Sequence, residues 1–119
     1  MRYPISGNNT VTLDGTASLT GQALLGRSLT VGRVFWLRQL HVYNVSAGNI
    51  LALFDGTVGT TYAATAALTR IEAATGAVTR LSFDAPGLKF STNCLIAREA
   101  TTVSGAFAAG SVGGQGYEE

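Results

Sequence analysis

The longest patterned stretch of the chain is RVFWLRQLHVYNV at residues 33–45, in which apolar and polar side chains largely alternate. Successive side chains of a strand point to opposite faces, so this alternation predicts a β-strand. Strands rarely exceed about 10 residues, and we therefore expect a bend or bulge near Arg38. Unbroken alternation would place Val34, Trp36, Leu40 and Val42 on one face and Phe35, Leu37, Gln39, His41 and Tyr43 on the other.

Other short runs rich in Val, Ile, Thr and aromatic residues are bounded by Gly, Asn, Asp or Pro, which is typical of strands joined by turns. The run at 50–54 follows the turn sequence SAGN and is predicted to form an antiparallel hairpin with 33–45. Val112 and Tyr117 indicate a final edge strand in the glycine-rich tail. Further strands are predicted at 66–72, 77–83, 88–90, 94–98 and 101–108, with two or three short ones within 10–31.

About eight strands at spacings near ten residues predict an all-β, single-domain antiparallel β-sandwich of jelly-roll type. The segment TYAATAALTRIEAATG also places Ala64, Leu68 and Ile71 at helical spacing. We prefer a strand there because the same residues alternate and because Thr recurs throughout. The 119 residues suffice for one core but not for two. We expect residues 1–9 to form an extended N-terminal arm and residues 10–119 to form the sandwich domain.

Charged residues make up only 13% of the chain, against about 25% in an average soluble domain. Small residues replace them, and this composition favours self-association into an oligomer. The net charge of +1 is too small to attract nucleic acid or an anionic membrane. No stretch approaches the roughly 18 apolar residues of a membrane span, and the amino terminus lacks an apolar core of signal-peptide length. We therefore expect the protein to bind other proteins, and we expect it to bind neither nucleic acid nor a membrane.

The residues with reactive side chains do not form a known catalytic or metal-binding pattern. His41 is the only histidine and Cys94 the only cysteine, whereas a zinc site needs three or four nitrogen or sulfur ligands. The sequence has no GxSxG motif, and GSVGGQG lacks the lysine and helix of a phosphate-binding loop. Cys94 has apolar neighbours and is predicted to be buried. We therefore predict that the protein is not an enzyme and has no cofactor or metal.

The segment NILALFDGT ends an apolar strand with Asp55 and Gly56, which raises the question of a metal-binding loop. Calcium requires several oxygen ligands at fixed spacing, but no further acidic residue occurs before Glu72. We therefore interpret Asp55 as a residue that caps a turn and Gly56 as a residue with a positive φ angle.

Two stretches, ALFDGTVGTTYAATAALTRIEA and FDAPGLKFSTNCLIARE, resemble small virion proteins of tailed bacteriophages and prophages. In that family a strand ends in a turn, a VGT linker leads to another strand, and a PGLxFSTxxxI segment follows. The matching residues here are Val58, Gly59 and Thr60, then Pro86 to Thr92 with Leu95 and Ile96. Asn93 and Cys94 depart from the pattern, which carries glycine there. The resemblance implies a β-sandwich structural component, a trimer in those members that coat a capsid, and it transfers no functional residues.

The resemblance and the composition together predict a capsid decoration (cement) protein, made in the host cytoplasm, that binds the outer surface of the assembled head and bridges capsomers. The expected partners are the major capsid protein and further copies of this chain, with a trimer favoured. The candidate contact residues are Arg2, Tyr3 and Ile5 of the arm, together with Arg27 and Arg33 near strand ends, since arginine suits planar interface contacts. The alternatives are a minor tail or fibre-associated virion protein, and a carbohydrate-binding module for host attachment that would use exposed aromatic rings.

Overall fold

The computed structural model describes residues 2–11, 21–43, 50–63, 66–72, 78–98 and 110–119. Within these ranges the chain forms nine strands and no α-helix, which confirms the prediction of an all-β protein. The strands are β1 (Tyr3–Val11), β2 (Gln22–Ala23), β3 (Phe35–Tyr43), β4 (Ile50–Asp55), β5 (Thr69–Glu72), β6 (Thr79–Ser82), β7 (Leu88–Phe90), β8 (Cys94–Arg98) and β9 (Gly110–Glu118).

The described strands form two antiparallel sheets. The sheet that we call the front sheet has the order β1-β9-β3-β6, and β7 also pairs with β3. The back sheet has the order β2-β8-β4-β5. Strands that neighbour each other in space come from distant parts of the chain, as in sandwich topologies.

The main apolar core lies between the two sheets. It joins front-sheet residues such as Phe35 and Val42 to back-sheet residues such as Leu51 and Ile96, all of them buried. The rings of Phe35 and Phe90 pack with their centroids 6.2 Å apart. Full burial of a side chain of this size contributes about 1.5–3 kcal/mol, so this shared core holds the two sheets together.

The back sheet is buried on its second face as well. Phe54 belongs to a separate cluster on that face, where its ring lies 5.4 Å from the ring of Tyr62. Backbone hydrogen bonds fix the segment before Tyr62: the Gly21 N–H donates to the Thr60 carbonyl at 2.8 Å, and the Gly59 N–H donates to the Gly21 carbonyl at 3.0 Å. Burial on both faces explains why β4 is a continuous apolar run in the sequence.

The bulge predicted near Arg38 is confirmed. The register of β3 against β9 shifts between Leu37 and Gln39. Phe83 holds the bulged residue, because the Phe83 N–H donates to the Arg38 carbonyl at 2.8 Å and Arg38 Nε–H donates to the Phe83 carbonyl at 3.0 Å.

The bulge makes the predicted faces of β3 wrong. One extra residue reverses the alternation, so Leu37 before the bulge and Leu40 after it both point into the core. Trp36 was expected to share the face of Leu40 but lies on the opposite face, together with Gln39 and His41.

Residues 3–9 do not form a free arm. They belong to β1, which pairs with β9 along its whole length. The segment is extended, as predicted, but it is part of the sandwich, so the division into an arm and a domain does not hold for this strand. Ile5 alternates with the polar Ser6 and Asn8, and one apolar side chain was too weak a signal to mark a strand.

Two predicted strand placements are also wrong. β3 and β4 do not form a hairpin, because β3 pairs with β6, β7 and β9 whereas β4 pairs with β5 and β8. β9 lies between β1 and β3 and is not an edge strand. Alternation identifies the faces of a strand, but it does not identify the neighbours with which the strand pairs.

The remaining strand predictions differ from the structure in their bounds. β7 and β8 match the predicted 88–90 and 94–98, whereas β5 and β6 are shorter than the predicted 66–72 and 77–83. The strand predicted at 101–108 lies outside the described residues.

Candidate interaction face

The front sheet has one face that points away from the back sheet. Residues opposite each other in antiparallel strands share a face, so the strand register defines rows of outward side chains. We call this surface the outer face. Its aromatic row contains Pro4, Tyr117, Trp36 and Lys89, its amide row contains Ser6, Gln115, Gln39 and Ser82, and its imidazole row contains Asn8, Gly113, His41 and Arg80.

The aromatic row is fixed by polar contacts at its rings. Trp36 Nε1–H donates to the Glu119 carboxylate at 3.0 Å, and Lys89 Nζ lies 6.0 Å from the centroid of the Trp36 ring. The Tyr117 hydroxyl donates to the Pro86 carbonyl at 3.1 Å. Trp36 was expected on the face of Leu40, but the structure leaves it half-buried on the outer face, because the bulge assigns Phe35 to the core instead.

Two arginine–tyrosine pairs lie at the end of the front sheet where β1 begins. Arg2 Cζ lies 4.7 Å from the centroid of the Tyr117 ring, and Arg33 Cζ lies 3.9 Å from that of the Tyr3 ring. We call these four residues the end cluster. An exposed cation–π pair contributes about 0.5–1 kcal/mol, and a guanidinium stacked on a ring still has N–H donors in its plane.

Three of the five predicted contact residues, Arg2, Tyr3 and Arg33, take part in these two pairs. Ile5 belongs to neither pair, because its side chain is half-buried and packs against the main core. Arg27 is exposed in the segment between β2 and β3.

The middle of the outer face consists of paired polar side chains. Gln115 Nε2–H donates to Gln39 Oε1, and His41 Nε2–H donates to Asn8 Oδ1 at 2.9 Å. The second bond passes directly over β9 at Gly113, where a Cβ atom would collide with Asn8 Oδ1 and His41 Nε2. Glycine is therefore required at this position for the Asn8 and His41 side chains to meet.

The environment of His41 keeps its imidazole neutral. Burial lowers the pKa of His41 below its usual 6.5, and the positive charge of Arg80 lowers it further. The ring stacks on Tyr43 with the centroids 5.6 Å apart. Since Nε2 donates to Asn8, the neutral ring has an acceptor lone pair at Nδ1. None of these described contacts of His41 is a carboxylate that could orient it as a catalytic base.

A groove of about 610 Å³ follows the amide and imidazole rows. Side chains of Asn8, Gln39, His41, Arg80 and Gln115 line it, and its described lining contains no Asp or Glu. A second depression of about 340 Å³ shares Ser6 and Gln115 with the first and extends toward Tyr117. The two depressions together form an elongated track along the strands.

Asp55 has a structural role, as predicted, but it caps a different turn from the one expected. Its carboxylate accepts hydrogen bonds from the backbone N–H groups of Ser91 at 2.7 Å, Thr92 at 2.8 Å and Asn93 at 3.1 Å. These residues form the turn between β7 and β8. The predicted positive φ angle of Gly56 is wrong, because Gly56 is not among the described glycines with that conformation.

Cys94 is buried and unpaired, as predicted. Burial raises the pKa of its thiol well above the usual value, and the charge of Asp55 raises it further. A thiol with a raised pKa is a poor nucleophile at neutral pH. Among the residues that the structure describes, no group of three or more His, Cys, Asp or Glu side chains is arranged to hold a metal ion.

Comparison of the chain with protein-family models, curated proteins and solved structures finds no match. Within the described ranges, no helix has the length and apolar character needed to cross a bilayer.

The residues of the groove were not singled out by the sequence. Asn8, Gln39 and Gln115 are ordinary polar residues in runs of mixed character, and only the strand pairing brings them to one surface. One feature of the sequence could have identified part of the groove. If the alternation in β3 is counted afresh after the bulge at Arg38, Gln39 and His41 fall on the same face as Trp36, opposite Leu40.

Proposed function

We propose that this protein is a capsid decoration (cement) protein of the tailed-phage type, which binds the outer surface of an assembled head through its end cluster. The observation that carries this proposal is that Arg2, Tyr3 and Arg33 all take part in arginine–tyrosine pairs at one end of the front sheet. Tyrosine and arginine dominate the energetics of protein interfaces, because each combines a large contact area with directed hydrogen bonds. Tyr3 is 39% exposed, so its ring is available to a partner.

The segment that carries the resemblance to phage virion proteins supports a structural role. Phe90 is buried in the core, and the N–H groups of Ser91 and Thr92 bind the Asp55 carboxylate. Gly87 has a φ angle of +116°, a conformation that other residues rarely adopt. These residues maintain the sandwich, which agrees with motifs that describe a scaffold.

The proposed mechanism is bridging without catalysis. Copies of the chain, most simply a trimer, contact the major capsid protein of neighbouring capsomers through their end clusters. Binding to the closed shell and not to the opened one stabilises the shell by mass action. A stable contact of this kind buries about 1,200–2,000 Å², more than the end cluster alone provides, so neighbouring parts of the sheet take part.

Co-sedimentation with preformed empty shells tests this proposal. The double variant Arg2→Ser/Arg33→Ser should bind shells at least about tenfold more weakly, because two interface donors are lost. Arg70→Ser, on β5 of the back sheet, is the matched control and should bind like the unchanged chain. Equal binding by the double variant would exclude the end cluster. Binding to isolated tails but not to shells would favour the minor tail or fibre-associated alternative.

A further inference from the structure

We propose that the groove in the outer face binds an extended glycan, with a preference for sugars that bear carboxylates. The site reaches Tyr117 of the end cluster, but the side chains that carry the inference, Gln39, Gln115 and Arg80, lie outside that cluster. The inference does not depend on the proposed decoration function.

The amide row offers the hydrogen-bonding groups that sugar hydroxyls need. Gln115 Nε2–H donates to Gln39 Oε1, and both side chains are exposed, so the Gln39 amino group and the Gln115 carbonyl oxygen can still bind a ligand. A sugar hydroxyl both donates and accepts, so it can bond to either group. Their mutual bond holds the two side chains in place before a ligand arrives, which reduces the entropy lost on binding.

The imidazole row repeats this arrangement one step along the groove. The bond from His41 Nε2–H to Asn8 Oδ1 leaves the His41 Nδ1 lone pair as an acceptor and the Asn8 amino group as a donor. Two donor–acceptor pairs on neighbouring rows suit a chain of linked sugars better than a single small molecule.

The charge of Arg80 determines which glycans the groove should prefer. Arg80 is the only charged side chain of the larger groove, whose described lining has no acid. Its guanidinium can bind the carboxylate of a uronic acid with two parallel hydrogen bonds. A basic sugar would meet only repulsion from this group.

The shape of the site fits an extended ligand. The larger depression, of about 610 Å³, lies within the range of about 300–1,000 Å³ typical of ligand sites. The second depression continues it through Ser6 and Gln115 to the ring of Tyr117.

An extended peptide fits the same groove poorly. Sheets bind peptides mainly by backbone pairing at a free edge. The floor of this groove is instead formed by β9 and β3, whose backbones are already paired with each other and with β1 and β6. Only side chains remain available, and they suit hydroxyls.

The test uses the full chain and a panel of soluble hexasaccharides: maltohexaose, cellohexaose, the N-acetylglucosamine hexamer and a galacturonate hexamer. Titration calorimetry should detect binding of at least the galacturonate hexamer at millimolar concentration or below. Gln39→Ala/Gln115→Ala should weaken this binding by about tenfold for each side chain lost. The matched control Gln22→Ala, on the back sheet, should leave the affinity unchanged.

The charge preference has its own test. Arg80→Gln should weaken binding of the galacturonate hexamer by about tenfold or more, while Arg70→Gln should not. No binding of any hexasaccharide, or equal affinity in the glutamine double variant with an unchanged circular-dichroism spectrum, would overturn the proposal. So would binding of acidic hexapeptides in place of the sugars. None of these results depends on shell binding, so failure of the groove and failure of the end cluster can be told apart.

Discussion

The two sheets of the sandwich share one core, but their outward faces differ. The back sheet buries Phe54 beneath Tyr62, so its second face is apolar and covered. The front sheet presents amides, an imidazole and half-buried aromatic rings on its outward face, with a groove along the strands. Both sheets are antiparallel, and the side chains and the covering segment distinguish their outward faces.

This contrast agrees with the proposal that the front sheet binds partners and the back sheet stabilises the fold. A covered apolar face contributes stability and cannot meet a partner without unfolding its cover. A polar face with preformed side-chain pairs contributes less to stability, and its exposed groups are accessible to a ligand. Mutations in the two faces should therefore separate stability from binding.

Truncating a side chain buried on the covered face of the back sheet should have the largest effect. Phe54→Ala should lower the free energy of unfolding by about 3–5 kcal/mol, because it leaves a cavity beneath Tyr62. Trp36→Ala on the outer face should cost about 1–2 kcal/mol, since the ring is only half-buried. Urea denaturation of both variants measures the difference. Equal losses would show that the two faces do not differ as described.

Gly113 and Gly56 differ in the space that each leaves for a side chain. Gly113→Ala should destabilise the protein by about 1–3 kcal/mol, because its methyl group would separate Asn8 from His41. Gly56→Ala is the matched control: a Cβ atom there would make only ordinary contacts, the nearest at 3.6 Å from Leu95. It should be neutral or stabilising by about 0.4–1 kcal/mol. Thermal denaturation compares them, and a larger loss at Gly56 would contradict the structure.

The Asp55 cap ties the turn between β7 and β8 to the back sheet. Asp55→Asn should cost about 1–3 kcal/mol, because an amide provides one acceptor oxygen where the carboxylate provides two for three N–H groups. Asp84→Asn, at an exposed position, should change stability by less than about 0.5 kcal/mol. Urea denaturation checks both, and similar small effects would exclude a capping role for Asp55.

The smallest expected effect is a pH dependence of protein stability that arises from His41 on the outer face. Because the pKa of His41 is lower in the folded protein than its usual 6.5, the unfolded chain binds the proton more readily. The contribution of neutral His41 to the free energy of unfolding should be fully present above pH 6.5. It should be lost as the pH falls through the pKa of His41 in the folded protein. Melting temperatures of the unchanged chain and of His41→Gln between about pH 5 and 8 measure it. A variant with an unaltered pH profile would show that His41 does not titrate as described.

Patterning predicted the existence of most strands but not their arrangement. β7 and β8 were placed correctly because compact apolar runs lie between clear turn residues, Gly87 before one and Asn93 before the other. Pairing was not predictable, since β3 and β4 alternate equally well whether they form a hairpin or lie in different sheets. The bulge at Arg38 was expected, yet its effect on the faces of β3 depends on which residue is extra.

The candidate site was even less accessible to sequence reasoning. Arg2 and Tyr3 were chosen as residues of the predicted arm and Arg33 as an arginine near a strand end. The structure pairs Arg33 with Tyr3, and Arg2 with Tyr117 of β9. Asp55 binds N–H groups that begin 36 residues away in the chain, so no local pattern could identify its turn. Glycine is needed at position 113 because side chains from both neighbouring strands meet over it, and the sequence does not show which strands these are.

Hydroxyl-radical footprinting of the protein, free and bound to shells, tests most directly whether the front sheet is the contact surface. We predict that Tyr3 and Trp36 become protected from oxidation on binding. Val58 and Leu68, which are 47% and 45% exposed outside the front sheet, should react equally in both states. Protection of Val58 and Leu68 with unchanged oxidation of Tyr3 and Trp36 would contradict the assignment of the contact to the front sheet.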